Sequence, residues 1–242
     1  MKYKLGLKPS LNFKMHFGDY VDLQALPPIP DEIDWSTGVP LKGTMFGNDT
    51  YGDCFWAAAA KVLMVQSANA GDMLEFTTDD VLAGYKLTGF DPTDPNSDQG
   101  TEPTAGFKLL QTVGIKGQKF GPALAIAPTR IDLVMAALHI GGPLMVGMKF
   151  FQEWENAQTW AIESSDDIGG HEIPVMKASR ANGIYIETWG EGTFRFIPWD
   201  SLARNATQLT VCINPQFFAN GQAPNGLAID DINADAAAIS GG

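Results

Sequence analysis

The chain has 242 residues, of which 45% are hydrophobic and 18% charged, a composition typical of a globular protein with a full hydrophobic core. Its formal net charge of −12 argues against a general nucleic-acid binder, because such proteins present a basic face to phosphates. The sequence has no apolar run of about 18 residues that would span a bilayer, and the N-terminus lacks the apolar core of a signal peptide. We therefore expect a cytoplasmic or virion-associated protein without a signal peptide, or one that is exported without such a signal. We also expect no metal and no cofactor.

Residues 1–33 are predicted to form an irregular N-terminal arm. Four lysines precede the first acidic residue, Asp19, so the arm begins basic whereas the rest of the chain is acidic. The proline-rich stretch 26–30 disfavours a helix at the end of the arm. Such an arm either lies on an acidic surface of this protein or a partner, or is an ordinary solvated tail.

Residues 34–125 are predicted to form a helical lobe. An uninterrupted run of small and apolar residues predicts a buried helix over 54–66. Thr77 or Thr78 is the expected N-cap of a second helix, and a third helix is predicted over about 104–113.

The polar loop 91–100 separates the second helix from the third. It has oxygen-bearing side chains at alternate positions, Asp94, Asn96 and Asp98, as in part of a calcium-binding loop. The glycine and the bidentate glutamate that such a loop needs at its sixth and twelfth positions are missing. The pattern therefore favours a solvated turn over a metal site.

Residues 126–215 are predicted to form a second lobe that is rich in strands. A helix over about 129–140 precedes a strand at 144–148. Four more strands are expected, at about 171–178, 183–189, 193–197 and 208–213. Helices first and strands second indicate an α+β fold in two lobes, followed by a C-terminal tail, 216–242, with a short helix near 229–239.

Cys54 follows a glycine-rich turn and begins the first predicted helix. A helix N-terminus favours a thiolate, because it presents unpaired N–H groups and the positive end of the helix dipole. A nucleophilic cysteine also needs a base and a third group that orients the base. The alternative is a buried, inert cysteine, which is the role we expect for Cys212 in the apolar run 209–213.

Three histidines are available as that base. His16 lies in the arm and His139 in an apolar helix, and a structural role is the better interpretation for both. His171 follows two glycines and begins a predicted strand. Glu187 lies on the next strand, so a carboxylate meets the imidazole if the two strands pair with these residues opposed. A surface glutamate is the alternative.

These segments, in this order, resemble the papain-like cysteine peptidase superfamily over most of residues 29–213. The segment 48–57 is similar to the nucleophile segment of that family, and 170–171 and 188–190 fall where it has its histidine and its Asn-Ser-Trp-Gly motif. The segment 47–54 also resembles uncharacterised bacterial and phage proteins of this fold, a resemblance that implies no activity. The fold implied is a helical left lobe that carries the cysteine and an antiparallel β right lobe that carries the histidine.

The resemblance also implies a role for each matching residue. Cys54 is the expected nucleophile, and His171 is the expected base. Asn48 matches the glutamine that helps the Cys54 backbone N–H to bind the oxyanion. Glu187 replaces the orienting asparagine, which gives a Cys-His-Glu triad, and Trp189 matches the tryptophan that shields the histidine from water.

Three further residues match the substrate-binding positions of the family. Gly100 and Thr101 fall where the family has a Gly-Gly pair that binds substrate backbone, and we expect Thr101 to alter the groove. Gly170 lies beside the histidine. The 33-residue arm is shorter than the inhibitory pro-segment of the family, which predicts a peptidase without an obvious latch.

Two functions from different classes remain open. The first is a thiol-dependent peptidase or related amide hydrolase, acting on a peptide or isopeptide bond or, in a variant of the same chemistry, transferring the acyl group to an amine. The second is a catalytically weak or inactive papain-like module in a bacterial surface or phage virion assembly, in which the arm 1–33 and the tail 216–242 contact neighbouring proteins.

Overall fold

The computed structural model describes residues 4–9, 13–24, 26–190, 192–218 and 224. Within them the α-helices are α1 Cys54–Asn69, α2 Thr78–Lys86, α3 Pro103–Thr112, α4 Ile131–Gly141 and α5 Trp199–Asn205. The strands are β1 Glu32–Asp34, β2 Ala123–Ala125, β3 Leu144–Phe150, β4 Gly169–Ser179, β5 Gly183–Glu187, β6 Phe194–Pro198 and β7 Ala206–Cys212. The predicted helix near 229–239 lies outside the described residues.

Helix α1 passes through the interior of the protein, and all residues in 54–67 are buried. Four consecutive alanines, 57–60, let neighbouring elements approach the helix axis closely, and no glycine or proline interrupts the run. The helix packs against α2 and α3 on one side and against β4 on the other. The residue that begins α1 is therefore held at the boundary between the helical part and the sheet.

The start of α2 shows why the prediction for this helix was correct. The Thr77 hydroxyl accepts a hydrogen bond from the Asp80 N–H, and the Asp80 carboxylate accepts one from the Thr77 N–H. This reciprocal pair satisfies two backbone donors that a helix start leaves free. Helix α3 is capped by Glu102, whose carboxylate accepts from the backbone N–H groups of Thr104 and Ala105.

The strands form one antiparallel sheet in the order β2-β7-β3-β4-β5-β6, with β1 also paired to β4. Strand β3 pairs with the first half of β4 and places Met148 opposite His171. Strand β5 pairs only with the second half of β4, where Val175 lies opposite Ile186. His171 and Glu187 are therefore not opposed, contrary to the prediction from strand alternation.

The described residues form two main hydrophobic clusters, one around α1 to α3 and the other between α4 and the sheet. This is the α+β, two-lobe architecture expected from the sequence, with the cysteine helix in one lobe and the histidine strand in the other. Helix α5 and the three-residue strands β1 and β2 were not predicted, because such short segments show little periodicity. No helix in the described part of the chain is both long and apolar enough to cross a membrane.

The beginning of the arm lies on the body of the protein rather than in solvent. Lys4 forms an ion pair with Asp98, and Leu7 forms a parallel β-bridge with Thr101. Further along, His16 forms a second parallel bridge with Ala125. Of the two interpretations of the basic arm, contact with an acidic surface of the same chain is the one observed.

Candidate active site

Cys54 is the first residue of α1 and is only 1% exposed. Its sulfur accepts a hydrogen bond from the backbone N–H of Glu172 at 3.5 Å, and the nearby backbone of Gly6 also lowers the pKa of the thiol. Burial nevertheless raises the pKa of the thiol to about 12, more than these two contacts lower it. In this arrangement Cys54 is a protonated thiol, so burial outweighs the helix-terminus effect expected from the sequence.

His171 is equally buried, near the beginning of β4. Its Nε2 lies 2.7 Å from the Thr188 hydroxyl oxygen. The Trp189 ring stacks on the imidazole, with 4.7 Å between ring centroids and 14° between the planes. Burial and, to a smaller extent, the charge of Lys61 together lower the pKa of His171 to about 3, so the imidazole is neutral.

The free ring nitrogen of His171 is available as a base. With the proton on Nε2 and donated to Thr188, Nδ1 keeps its lone pair. Nδ1 is buried and has no hydrogen-bond partner among the described residues. Cys54 and His171 are neighbours through Glu172, which follows His171 in β4 and donates to the sulfur, but no hydrogen bond joins the thiol to the imidazole in this conformation.

The prediction that Glu187 orients His171 is wrong for this structure. The Glu187 carboxylate forms an ion pair with Lys61 on α1, with 2.5 Å between Nζ and Oε2, and both side chains are buried. Its other oxygen accepts a hydrogen bond from the Gly192 N–H at 3.2 Å. Glu187 therefore ties the end of β5 to the cysteine helix, and the next residue, Thr188, contacts the imidazole.

The reason is the alternation of side chains at the end of β5. Glu187 and Thr188 are consecutive, so they point to opposite sides of the chain. Trp189, with φ 51°, then turns the backbone so that its ring covers His171. Thr188 places a hydroxyl next to Trp189 in the sequence. The family motif matched its orienting asparagine with Glu187, so Thr188 was not predicted to contact the imidazole.

Asn48, the predicted oxyanion-hole residue, is buried in the turn before α1. Its Nδ2 donates to the backbone carbonyl of Tyr51 at 3.3 Å, and its amide also lies beside Asp53. Asp53 is completely buried, and burial raises the pKa of this carboxyl well above its usual value. Asn48 thus lies in the turn before α1, six residues before Cys54. The hydrogen bond observed for its side chain stabilises that turn.

Two predicted substrate-binding residues, Thr101 and Gly170, hold the N-terminal arm. The Thr101 N–H donates to the Gly6 carbonyl at 2.8 Å, and the Lys8 N–H donates to the Thr101 carbonyl at 3.1 Å. From the opposite wall, the Gly170 carbonyl accepts from the Leu7 N–H at 3.1 Å. Residues 6–8 therefore run between the walls as an extended peptide that both walls bind through backbone groups.

The Thr101 side chain does not obstruct this groove. Its hydroxyl accepts a hydrogen bond from Trp56 Nε1 at 3.2 Å in the interior, so the backbone of Thr101 stays free to bind a strand. Gly100 is needed beside it, because a Cβ there would lie 1.9 Å from the Gly6 carbonyl oxygen and its φ is +74°. The arm fits the groove closely at the cysteine, since a Cβ on Gly6 would lie 1.8 Å from the Gly52 carbonyl oxygen.

No protein-family model matches the chain. No curated protein sequence matches it either. Solved structures do resemble it, among them xylellain, a cysteine protease from Xylella fastidiosa, with 17% identity, coverage of 88% of this chain and 97% of xylellain, and a TM-score of 0.68.

Two plant proteins have the same fold. The proform of the ragweed pollen allergen Amb a 11, a cysteine protease, is 14% identical with a TM-score of 0.54, over 79% of this chain and 67% of that one. The Carica candamarcensis cysteine protease CMS1MS2, solved in complex with E-64, is 11% identical with a TM-score of 0.55, over 77% and 99%. The described architecture, with its cysteine helix and histidine strand, is therefore that of the papain-like cysteine proteases.

Proposed function

We propose that the protein is a cysteine peptidase in which Cys54 is the nucleophile and His171 the general base. One observation carries this proposal: an extended peptide segment, residues 6–8, lies across Cys54 and is hydrogen-bonded to both walls of the groove. A groove that holds this segment by backbone groups is suited to bind another peptide in its place. The solved cysteine proteases of the same fold support the assignment of the chemistry.

In the proposed reaction, Cys54 transfers its proton to His171 Nδ1, and the thiolate attacks the substrate carbonyl carbon. His171 then returns the proton to the leaving amine as the C–N bond breaks, which leaves a thioester on Cys54. A water molecule, deprotonated by His171, hydrolyses the thioester and restores the thiol. Thr188 keeps the second ring nitrogen occupied, so the imidazole presents Nδ1 to these steps.

The negative charge on the carbonyl oxygen needs donors that are fixed in advance. The backbone N–H of Cys54 belongs to the first turn of α1, where N–H groups have no partner within the helix. Asn48 is the proposed second donor through the amide hydrogen that the Tyr51 carbonyl does not take. The Trp189 ring covers His171 and keeps water away from the imidazole.

The arm must leave the groove before a substrate can bind. In the described conformation Cys54 is protonated and buried, and its sulfur is hydrogen-bonded to the Glu172 N–H and not to His171. Release of residues 4–9 removes the Gly6 backbone and hydrates the thiol, which lowers its pKa and allows it to pair with Nδ1. The described conformation is thus the resting state of the proposed enzyme.

The test is turnover of a mixed peptide library, followed by mass spectrometry, with the full chain and with Cys54→Ala, His171→Ala and Cys212→Ala. We expect cleavage by the wild type and by Cys212→Ala, loss of at least about 10³-fold with either other variant, and a thioester adduct on Cys54. Cleavage that survives Cys54→Ala would refute the proposal.

The assembly role is the second candidate, and the covered cysteine favours it. An inactive papain-like module in a phage or bacterial surface particle would not need to open the groove, and could contact neighbours through the arm 1–33 or the tail 216–242. It predicts no adduct on Cys54 under any condition and a defined oligomer in sedimentation. A monomer that forms the Cys54 adduct would contradict it.

A further inference from the structure

Asp98 is an acidic side chain built into the wall of the groove. Its carboxylate is only 5% exposed, although Asp91 and Asp94 in the same loop are exposed. Oδ1 accepts hydrogen bonds from the Tyr85 hydroxyl at 2.7 Å and from the Gly52 N–H at 3.0 Å. Asp98 is therefore held in one orientation by two donors, unlike an ordinary loop aspartate.

The second oxygen of Asp98 is free of those two donors and binds a cation. Oδ2 pairs with the ammonium group of Lys4 at 2.5 Å. The Tyr85 hydroxyl that supports the carboxylate is itself fixed, because it accepts from the Gly100 N–H at 2.8 Å. Burial raises the pKa of Asp98, but the bonds from Lys4, Tyr85 and Gly52 outweigh it and hold the pKa below its usual value, so the carboxylate is charged.

The carboxylate is bound to the turn that leads into Cys54. Gly52, whose N–H binds Asp98, precedes Cys54 by two residues. A Cβ on Gly52 would lie 3.1 Å from Asp98 Oδ1 and 3.2 Å from the Gly6 Cα of the bound arm. The missing side chain at Gly52 therefore keeps the space between the bound backbone and the carboxylate open.

Lys4, two residues before Gly6 in the arm, pairs with Asp98 through Oδ2, the oxygen that Gly52 and Tyr85 leave free. The Lys4 side chain is 43% exposed, so water reaches it more easily than it reaches the buried carboxylate. Asp98 is charged at this wall, and the chain as a whole carries a net charge of −12. The local charge thus favours a cationic side chain and disfavours an acidic one.

We propose that Asp98 is a specificity subsite for the lysine or arginine side chain of a peptide, and that Lys4 is its internal occupant. This inference rests on the proposed function, because the peptide that replaces the arm is the substrate of that groove. A peptide with a suitably placed cation takes over the ion pair of Lys4 and so displaces residues 4–9. A peptide with an uncharged side chain at the same place gains no ion pair and leaves the arm bound.

The experiment measures binding in the full chain and does not depend on turnover. The protein carries Cys54→Ser, to prevent chemistry, and Lys4→Met, to remove the internal cation. Fluorescence anisotropy then measures the binding of two labelled synthetic peptides. The first has the sequence of residues 1–12, and the second differs from it only by norleucine at the fourth position. We expect the lysine peptide to bind about tenfold more tightly, which corresponds to about 1.4 kcal/mol.

Adding Asp98→Asn should reduce this preference to less than about twofold. The asparagine can still accept from Tyr85 and Gly52 through its carbonyl oxygen, so the loop is expected to fold. Asp94→Asn, an exposed acid of the same loop, is the matched control and should keep the tenfold preference.

Equal binding of the two peptides, no binding of either, or a preference that survives Asp98→Asn would overturn the inference. Failure of the proposed function would appear differently. If Cys54 performed no chemistry, turnover would be absent while the lysine preference in the binding assay remained intact.

Discussion

Thr188 should be the residue that positions His171, and Thr188→Val tests this at nearly constant volume. The Thr188 hydroxyl oxygen lies 2.7 Å from His171 Nε2, and valine puts a methyl group in its place. The imidazole is 1% exposed, so its Nε2–H would have no water to bond to and would be buried unsatisfied. The ring would then lose the hydrogen bond that fixes its orientation.

The magnitude follows from the burial. An unsatisfied buried donor costs about 1–3 kcal/mol, and if most of this is lost from the transition state, kcat/KM falls about 5- to 150-fold. We expect the loss to appear in kcat with KM nearly unchanged, because Thr188 does not belong to the groove that binds the arm. Thr188→Ser keeps the hydroxyl and should restore most of the rate.

The assay is steady-state hydrolysis of a fluorogenic peptide selected from the library experiment, together with urea unfolding of each variant. Glu187→Gln is the contrasting variant, because Glu187 contacts Lys61 and Gly192 instead of the imidazole. We expect Glu187→Gln to lower the urea midpoint of unfolding and to leave kcat of the folded protein nearly unchanged. A Thr188→Val protein with wild-type kcat, alongside a Glu187→Gln protein that is folded but inactive, would refute the assignment.

Two further predictions concern buried charges near the site. Lys61→Met removes one partner of the buried pair with Glu187 and should destabilise the protein by about 3–5 kcal/mol in urea unfolding. The double variant Lys61→Met, Glu187→Leu should recover much of this loss. Equal stability of the single variant and the wild type would contradict the pairing. Burial raises the pKa of Glu172 to about 8, so the folded state binds more protons than the unfolded state above pH 4.5, and stability should fall as pH rises from 6.5 to 8. His171, with a pKa lowered to about 3, adds its own loss only below pH 6.5, where the unfolded state takes up the proton. Glu172→Gln should flatten the slope between pH 6.5 and 8, and an unchanged slope would show that another group causes it.

The elements that the sequence predicted well were those with strong local signals. The buried run of α1, the N-cap of α2 and the longer strands follow from residue type and spacing alone. The positions of Cys54 at a helix start and of His171 in a strand were also predicted from local context, whereas their catalytic roles remain a proposal. Their approach to each other across the two lobes came from the family resemblance.

What the sequence did not predict depends on contacts between distant segments. The choice between Glu187 and Thr188 required the register of β5 on β4 and the presence of Lys61 on a helix 126 residues away. The raised pKa of Cys54 required its burial under the arm, which no local pattern indicates. The arm itself was predicted to be irregular, and much of its binding in the groove comes from backbone hydrogen bonds, which leave no pattern in the sequence.

The most direct test of the account is the pH dependence of Cys54 alkylation by iodoacetamide, followed by intact mass, in wild type and in Lys4→Glu. The second variant replaces the Lys4 ion pair with a repulsion at Asp98 and should release the arm. Lys14→Glu, which changes an exposed lysine of the arm, is the matched control and should behave as wild type.

The account predicts slow labelling of wild type, because its thiol has a pKa of about 12, and fast labelling of Cys54 in Lys4→Glu already at pH 6 to 7, where a thiolate paired with His171 exists. Adding His171→Ala should abolish the labelling at low pH, while buried Cys212 stays unmodified throughout. If Cys54 in Lys4→Glu reacts only above about pH 8.5, as an ordinary thiol does, the central claim that Cys54 and His171 form a catalytic pair beneath the arm is contradicted.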